Sequence, residues 1–244
     1  MLLRCIRAEN RKLHHSVIWL VFLIVPPIGA LYGTYNYIIN VEILKQGWYD
    51  LWTQHTLFYA LFFFAPLIAV YSAYLWRLEH FGHNWNAILS APVRPVCLFA
   101  AKFVIVIKLE ILTQIWVGVL YVLCGKLWAG LAGWPPPEVI FWLLRGVLGG
   151  LPVIALQLLL SMLLRSFAVP VFVSWAGSMP GMLLGTKWQA FLWPYSLMLL
   201  GMNSNRVEDT LMGRAPLFVG SCMLMTVLFV LLAHLLLTKR DVRT

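Results

Sequence analysis

The chain has 244 residues, of which 61% are hydrophobic and only 11% are charged. A soluble globular domain carries about 25% charged residues, so this composition excludes a soluble protein and indicates a membrane-embedded one. The net charge of +9 does not indicate nucleic-acid binding, because the basic residues cluster at the ends of apolar segments, where membrane topology requires them. The length allows a single membrane domain over residues 1–244 and no sizeable soluble domain.

The first fifteen residues predict a helix that lies in the membrane interface, ahead of the first apolar segment. Leu2, Leu3, Ile6 and Leu13 can share one helical face, and arginines surround that face. Such a helix buries its apolar side at the acyl boundary while its arginines meet anionic headgroups. A disordered basic segment is the alternative at a chain terminus.

Six apolar segments are candidates for membrane crossing. A transmembrane helix needs about 20 apolar residues to cross roughly 30 Å of hydrocarbon. An open strand would leave backbone groups without hydrogen-bond partners in lipid. The sequence therefore predicts an all-α membrane protein with six transmembrane helices, at residues 16–38, 54–76, 102–124, 139–163, 167–186 and 216–238.

The basic residues predict the direction of these helices. Cytoplasmic loops carry an excess of Lys and Arg, and the excess here lies on the side of the amino terminus. We therefore expect both termini in the cytoplasm. The basic residues on that side are Arg4, Arg7, Arg11, Lys12, Arg77, Arg94, Lys102, Arg165, Lys239, Arg240 and Arg243. Those on the outer side are Lys45, Lys126, Lys187, Arg206 and Arg214.

The predicted cytoplasmic loop at residues 77–102 contains a short amphipathic helix at 79–90. Phe81, Trp85, Ile88 and Leu89 fall at i, i+4, i+7 and i+8 and form one apolar stripe. Prolines at positions 92 and 95 then end the helix. Because this helix faces the cytoplasm, we expect it to contact a cytoplasmic protein or the inner leaflet.

Polar residues interrupt two of the predicted spans. Lys108, Glu110 and Gln114 lie in the third span, and Arg145 lies in the fourth. A charge at bilayer depth costs at least about 3 kcal/mol on insertion scales, so each charge needs a partner or water. Lys108 can extend to the boundary, and an extended Arg145 could bridge much of the distance to Glu110. Glu110 and Arg145 are either part of a polar path or gate, or a structural ion pair between two helices.

Residues 187–215, which precede the last span, predict a re-entrant hairpin at the outer face. Its apolar part is about 14 residues long, which is too short to cross the bilayer, and Pro194 interrupts it. Irregular backbone at membrane depth is tolerated only where it is buried in protein or faces water. We therefore expect this hairpin to pack against the helices.

A ridge of small residues runs along the fifth predicted span. Gly177, Gly181 and Gly185 recur every four residues, so another helix can approach closely at this face. The ridge predicts either an interface between subunits or helix packing within one chain.

The sequence contains no pattern typical of catalysis or of metal binding. Glu79, His80 and His83 spell E-H-F-G-H, but the histidines are three positions apart, whereas a zinc motif of the H-E-x-x-H type needs four. No Walker motif and no G-x-S-x-G sequence occurs. We therefore predict no catalytic residue, no metal ligand and no cofactor bound directly by this chain.

The layout resembles that of the permeases of type-two ATP-binding-cassette (ABC) exporters. Within that group, the chain resembles the permeases of lantibiotic self-immunity and of bacitracin-type resistance. The features that carry this resemblance are the basic interfacial start, the loop from Glu79 to Arg94 followed by Ala101-Lys102, and the broken hairpin before the last span.

The resemblance implies that residues 79–90 form a coupling helix that sits in a groove of a separate ATPase subunit. Phe81, Trp85, Ile88 and Leu89 would lie on its apolar face, and Trp85, Ile88 and Leu89 would be the anchors. Glu79 and Arg94 would contact the rim of the groove.

The resemblance also implies the partners and the cargo. ATP and Mg²⁺ would bind at a dimer of ATPase subunits, and a second permease, identical or related, would complete the assembly. The cargo would be an amphipathic antimicrobial peptide, removed from the plasma membrane of a bacterium. Two other functions remain open at this point, namely an intramembrane lipid-modifying enzyme or protease, and a sensor or assembly subunit that does not transport.

Overall fold

The computed structural model describes residues 1–81 and 94–239, and all regular structure in these two ranges is helical. This confirms the predicted all-α class for the described residues. The α-helices are α1 Leu2–Lys12, α2 Ile18–Ile39, α3 Trp48–Phe58, α4 Ala65–His80, α5 Pro95–Leu123, α6 Glu138–Leu163, α7 Ala168–Leu184, α8 Pro194–Gly201 and α9 Ala215–Lys239. Turns of π-helix at Tyr59–Phe64 and Cys124–Trp128 extend α3 and α5, and a 3₁₀ turn at Trp188–Leu192 precedes α8.

Four helical stretches within the described ranges are long and apolar enough to cross a membrane. They are Ile18–Ile39, Trp48–His80, Glu138–Leu163 and Ala215–Thr238. Of the other two predicted spans, α7 has only 17 residues. The other, α5, has 29 residues and carries Lys102, Lys108 and Glu110. All six predicted segments are therefore helical, whereas six membrane crossings remain a prediction.

The second span is longer than predicted, because α3, the π-helical turn and α4 form one continuous helix of 33 residues from Trp48 to His80. Polar residues made its first turns look like a loop in the sequence. Those residues are buried and paired: Asp50 accepts a hydrogen bond from the Gln46 backbone at 2.6 Å, and His55 lies 2.7 Å from the Thr34 hydroxyl.

Helix α6 lies at the centre of the bundle and packs against α4, α5, α8 and α9. Gly146, Gly149 and Gly150 form its contact face, and at each of them an added Cβ would overlap atoms of a neighbouring element. Pro152 follows this face and stays within the helix. Three glycines in five positions let neighbouring backbones and polar side chains approach α6 closely.

The segment from Trp188 to Arg214, called here the outer hairpin, folds into the bundle. Its helix α8 is buried along almost its whole length. Trp52 Nε1 donates to the Met202 carbonyl at 2.9 Å, and Ser204 Oγ donates to the Thr56 carbonyl at 3.1 Å. Thr56 is about 12 Å along the helix axis from Trp48, given 1.5 Å per residue. Irregular backbone at membrane depth must be buried in protein or face water, and the backbone of this hairpin is buried in protein. That the hairpin re-enters the lipid remains a prediction.

Helix α1 packs along α5. Its exposed and buried residues differ from those that the sequence suggested. Leu2 and Leu3 are exposed and Leu13 is buried, while the carboxylate of Glu9 points into the protein and the residue is 1% exposed. The helix therefore docks on the bundle through a charged residue, and its location in the membrane interface remains a prediction.

Candidate functional site

The predicted coupling residues are distributed over the two ends of the first loop and the segment between them. Helix α4 continues to His80, so Glu79 belongs to its last turn, and Phe81 follows in extended conformation with its side chain 61% exposed. Arg94 is exposed and directly precedes α5. Trp85, Ile88 and Leu89 lie outside the described residues. The predicted helix at 79–90 therefore does not begin at Glu79, because the backbone is extended at Phe81.

Four charged side chains meet at the end of the bundle that carries these two loop ends. They are Glu9 and Lys12 of α1, Glu79 of α4 and Lys102 of α5, and we call them the charge cluster. Lys102 Nζ lies 2.8 Å from Glu9 Oε2 and 2.9 Å from Glu79 Oε1. Lys12 Nζ lies 2.6 Å from Glu9 Oε1 and also pairs with Glu79. Each ammonium thus contacts both carboxylates, and the four charges sum to zero.

Lys102 is the most deeply buried member of the cluster, with an exposure of 0%. Its ammonium also donates to the Leu75 carbonyl at 2.9 Å, and it lies 5.0 Å from the centre of the Trp76 ring. A buried ammonium is stable only where opposite charges and acceptors surround it. The two carboxylates and the carbonyl supply these partners, so Lys102 fixes the first turns of α5 against α1 and α4.

Lys12 lies nearer to the surface, with 31% of its side chain exposed. Burial alone would lower the pKa of Lys12, but the hydrogen bonds and the attraction of Glu79 and Glu9 outweigh this effect, so its pKa lies above the usual 10.5. The side chain therefore stays charged throughout the neutral pH range and keeps its pairs with both carboxylates.

The charge cluster joins three elements that are far apart in sequence. Glu79 lies just before the first loop, Lys102 lies in the first turns of the helix that follows it, and α1 bridges the two. Removal of one member of a buried ion pair costs about 3–5 kcal/mol, because the remaining charge is left without its partner. The charge cluster therefore ties both loop ends to α1.

The predicted intramembrane polar residues do not form one group. Lys108 is exposed and donates to Asn10 Oδ1 of α1 at 2.7 Å, so it reaches back toward the amino-terminal end. Glu110 is 1% exposed, its carboxylate lies against Gly150, and both its oxygens lack a hydrogen-bond partner among the described residues. Gln114 Nε2 lies 3.7 Å from Met202 Sδ.

The predicted contact between Arg145 and Glu110 is not observed. Arg145 Nη1 lies 2.9 Å from Asp209 Oδ1, and its other nitrogens donate to the carbonyls of Leu200 and Gly201 at 3.2 Å. The side chain of Arg145 thus turns toward the outer hairpin, where backbone carbonyls and a half-exposed carboxylate accept its N–H groups. Its roles in a path or gate stay untested.

The glycine ridge of α7 packs within the chain. A Cβ at Gly177 would overlap the ring of Tyr195, and one at Gly181 would lie 2.9 Å from Leu199 Cδ1 and 3.3 Å from Ser196 Oγ. Both contacts are with α8. Gly185 ends the helix with a φ of 55°, a conformation that glycine adopts readily. These contacts favour the interpretation that the first two glycines serve helix packing within one chain.

The described residues contain no group of three His, Cys, Asp or Glu side chains that could hold a metal ion. His80 Nε2 lies 2.9 Å from the Ser161 carbonyl, which connects the end of α4 to α6. His83 lies outside the described residues. The part of the E-H-F-G-H sequence that the structure describes therefore makes contacts within the protein.

The chain matches a known protein family. The model of a family described as "ABC-2 family transporter protein" matches residues 5–181, which is more than half of the chain. The matched region includes the charge cluster, the first loop and the glycine face of α6. No curated protein and no solved structure gives a significant match.

Proposed function

Because the chain belongs to the ABC-2 family of transporter proteins, we propose that it is the membrane permease of a transporter driven by a separate ABC ATPase. These 244 residues contain no Walker motif, and the proposal therefore assigns ATP hydrolysis to another subunit. Membership of this family makes the chain a multi-pass membrane component of a transport system, and the proposal extends this to the ATPase, its docking site and the cargo.

The charge cluster is the observation that carries the proposal for how the ATPase acts. A force applied to the segment between Phe81 and Arg94 reaches α4 through Glu79 and α5 through Lys102. It also reaches α1, since Glu9 pairs with Lys102 and Lys12 pairs with Glu79. Buried ion pairs with good geometry resist separation, because Glu9, Glu79 and Lys102 are almost completely buried and would be left without partners and with little access to water.

The proposed mechanism is a rigid-body movement of two permeases. Two ATPase subunits close when they bind ATP and Mg²⁺, and each moves the loop that sits on it. The three joined helices α1, α4 and α5 follow, and the two permease chains rock against each other. We propose that Trp85, Ile88 and Leu89 anchor the contact, because large apolar side chains dominate the energy of such interfaces, with Glu79 and Arg94 at its edge.

The surroundings of Glu79 are not those of a residue at the rim of the ATPase groove. Its residue exposure is 4%, and both lysines of the charge cluster contact its carboxylate. We therefore propose that Glu79 acts on the ATPase contact by holding the loop end, while the exposed Phe81 and Arg94 are available to touch the partner.

The cargo that we propose is an amphipathic cationic peptide of the lantibiotic or bacitracin type, removed from a bacterial plasma membrane. Acidic side chains on the outer side are the groups that would attract such a cationic peptide. Asp50 is buried, and Asp209 pairs with Arg145, which leaves Glu42, Glu138 and Glu208 exposed. The support for this cargo is the resemblance in sequence and these three carboxylates.

Affinity purification of the tagged chain from its native membranes tests the ATPase partner. We expect an ATP-hydrolysing subunit to copurify, and Trp85→Asp to abolish its capture, because a carboxylate on the apolar stripe cannot be desolvated cheaply. Trp134→Asp is the matched control, since Trp134 is 79% exposed in the loop at the opposite end of the bundle.

Growth in the presence of a lantibiotic and of bacitracin tests the cargo separately. Cells that express the chain together with its captured ATPase should survive higher peptide concentrations than cells with Trp85→Asp. Unchanged ATPase capture by Trp85→Asp would contradict docking at this loop. Normal capture by the original chain without any peptide resistance would contradict only the proposed cargo.

A further inference from the structure

A cavity of about 140 Å³ lies between the α3–α4 helix, α7 and the outer hairpin. Leu57, Leu61 and Met182 line one part of it with apolar side chains. Asn205 and Arg206 line another part with polar side chains. The cavity therefore has an apolar part and a polar part, as the binding site of an amphiphilic molecule requires.

Unusual backbone conformations shape this cavity at two of its walls. Leu61 lies in the π-helical turn Tyr59–Phe64, and such turns occur frequently at functional sites. Asn205 has a φ of 54°, a left-handed conformation that asparagine tolerates better than most residues other than glycine and that is typical of turns.

The polar part of the cavity carries a positive charge. None of the residues that line it is acidic. Ser204 Oγ already donates to the Thr56 carbonyl, and Thr210 Oγ1 donates to the Leu200 carbonyl. The guanidinium of Arg206, in contrast, has no hydrogen bond or ion pair among the described residues. Arg206 is exposed, so an anion would replace only water at its N–H groups, and a guanidinium binds phosphate and carboxylate oxygens well. This part of the cavity therefore suits an anion.

The apolar part of the cavity opens toward the face of α7 that points away from the bundle. Met182 is 51% exposed and lines the cavity, and its neighbour Leu183 is 81% exposed. In a membrane-embedded chain this face meets acyl chains. A cavity of about 150 Å³ accommodates a molecule the size of benzene, so this one holds only the part of a lipid around its phosphate, and the rest of the acyl chains lies outside it.

We infer that the cavity binds an anionic phospholipid, with its phosphate at Arg206 and the start of its acyl region beside Leu57, Leu61 and Met182. The anion comes from the bilayer because the apolar part opens toward the exposed face of α7. This inference concerns binding alone and does not depend on the ATPase or on the cargo.

Native mass spectrometry of the purified full-length chain tests the inference, with phosphatidylglycerol and phosphatidylcholine as probes. We expect phosphatidylglycerol to be retained more strongly, and Arg206→Gln to lower its retention about tenfold, since a charge-assisted hydrogen bond is lost. Thr186→Trp, at the wall of the cavity, should lower retention by filling the space. Lys187→Gln is the matched control, because it removes a positive charge next to the cavity without lining it.

Several results would overturn the inference. Equal retention of the two lipids, or equal loss in Arg206→Gln and Lys187→Gln, would mean general attraction to a basic surface. Displacement of phosphatidylglycerol by inorganic phosphate would assign the site to a soluble anion. Arg206→Lys keeps the charge and should retain most of the binding, so it tests the same point should Arg206→Gln fold poorly, as judged by gel filtration.

Discussion

Helices α1 and α8 are both short, and both are held against the long helices, but different forces hold them. Four charges fix α1, and two of its side chains enter that contact. Glycines fix α8, because Gly149 of α6 and Gly177 and Gly181 of α7 let its backbone and side chains approach closely. The difference follows from position: charges that can balance one another suit the end of the bundle, whereas close backbone contact suits the membrane depth, where charges are costly.

The largest loss of stability is expected on removal of Lys102. This loss distinguishes most clearly the attachment of α1, by charges, from that of α8, by close packing. Lys102→Met leaves Glu9 and Glu79 close together with only Lys12 between them, so we expect the free energy of unfolding to fall by about 3–5 kcal/mol. Thermal unfolding in detergent measures this loss.

Lys108→Met is the control for that measurement. Lys108 is a lysine of the same helix, but it is exposed and bonds only to Asn10 among the described residues. Its loss should change the stability by less than about 1 kcal/mol. Similar losses for both variants would mean that the charge cluster does not hold α1.

A methyl group at Gly149 tests the attachment of α8. The Cβ of Gly149→Ala would overlap the carbonyl group of Leu197, and since backbone cannot give way cheaply, we expect a loss of about 1–3 kcal/mol. Gly220→Ala in α9 is the control, because a Cβ there meets nothing within 4 Å, and it should be neutral or stabilising by less than about 1 kcal/mol. Equal stability of both variants would contradict close packing of α8 on α6.

A smaller effect is expected at Arg145, which ties the outer hairpin to α6 by hydrogen bonds rather than by close packing. Arg145→Gln loses the contact with Asp209 and the bonds to the carbonyls of Leu200 and Gly201. Half of the Asp209 side chain is exposed, so water replaces its partner, and we expect a loss of about 1 kcal/mol. A loss as large as that of Lys102→Met, in the same unfolding assay, would show that this end also depends on buried charge.

The smallest effect is expected at Lys12, the exposed member of the charge cluster. Lys12→Gln should lower the free energy of unfolding by less than about 1 kcal/mol, because 31% of the side chain is exposed. The pKa of Lys12 is raised in the folded protein, so its contribution is complete below the usual 10.5 and is lost as the pH rises through the folded value. Unfolding measured between about pH 6 and pH 8 should therefore show a constant difference from the original chain, and a changing difference would contradict the pairing.

The sequence predicts the helices well, because apolar segments of about 20 residues have few alternatives in a membrane. The start of the second span was missed, because Asp50 and His55 look like loop residues until their buried partners are known. The short helix before the last span was anticipated as an irregular hairpin from Pro194, and the structure describes its helical part as Pro194–Gly201.

The site was predicted less completely, because its contacts join residues that are distant in sequence. Glu9 was not identified, although it is the single acid in the first helix and stands three positions before Lys12. An isolated acid in an apolar, basic chain was the signal that could have identified Glu9 as part of the site. The partner of Arg145 was also missed: depth along two helices suggested Glu110, whereas the outer hairpin folds inward and brings Asp209 to it.

A double-mutant cycle between Glu9 and Lys102 tests most directly whether α1 and the ends of the first loop form one unit. The free energy of unfolding is measured for Glu9→Gln, for Lys102→Met and for the double variant in the same detergent. Because each single change strands a buried charge that the other removes, we expect the double variant to lose about 1–3 kcal/mol less than the sum of the single losses. Additive losses would show that the two side chains act independently, and this would contradict the account.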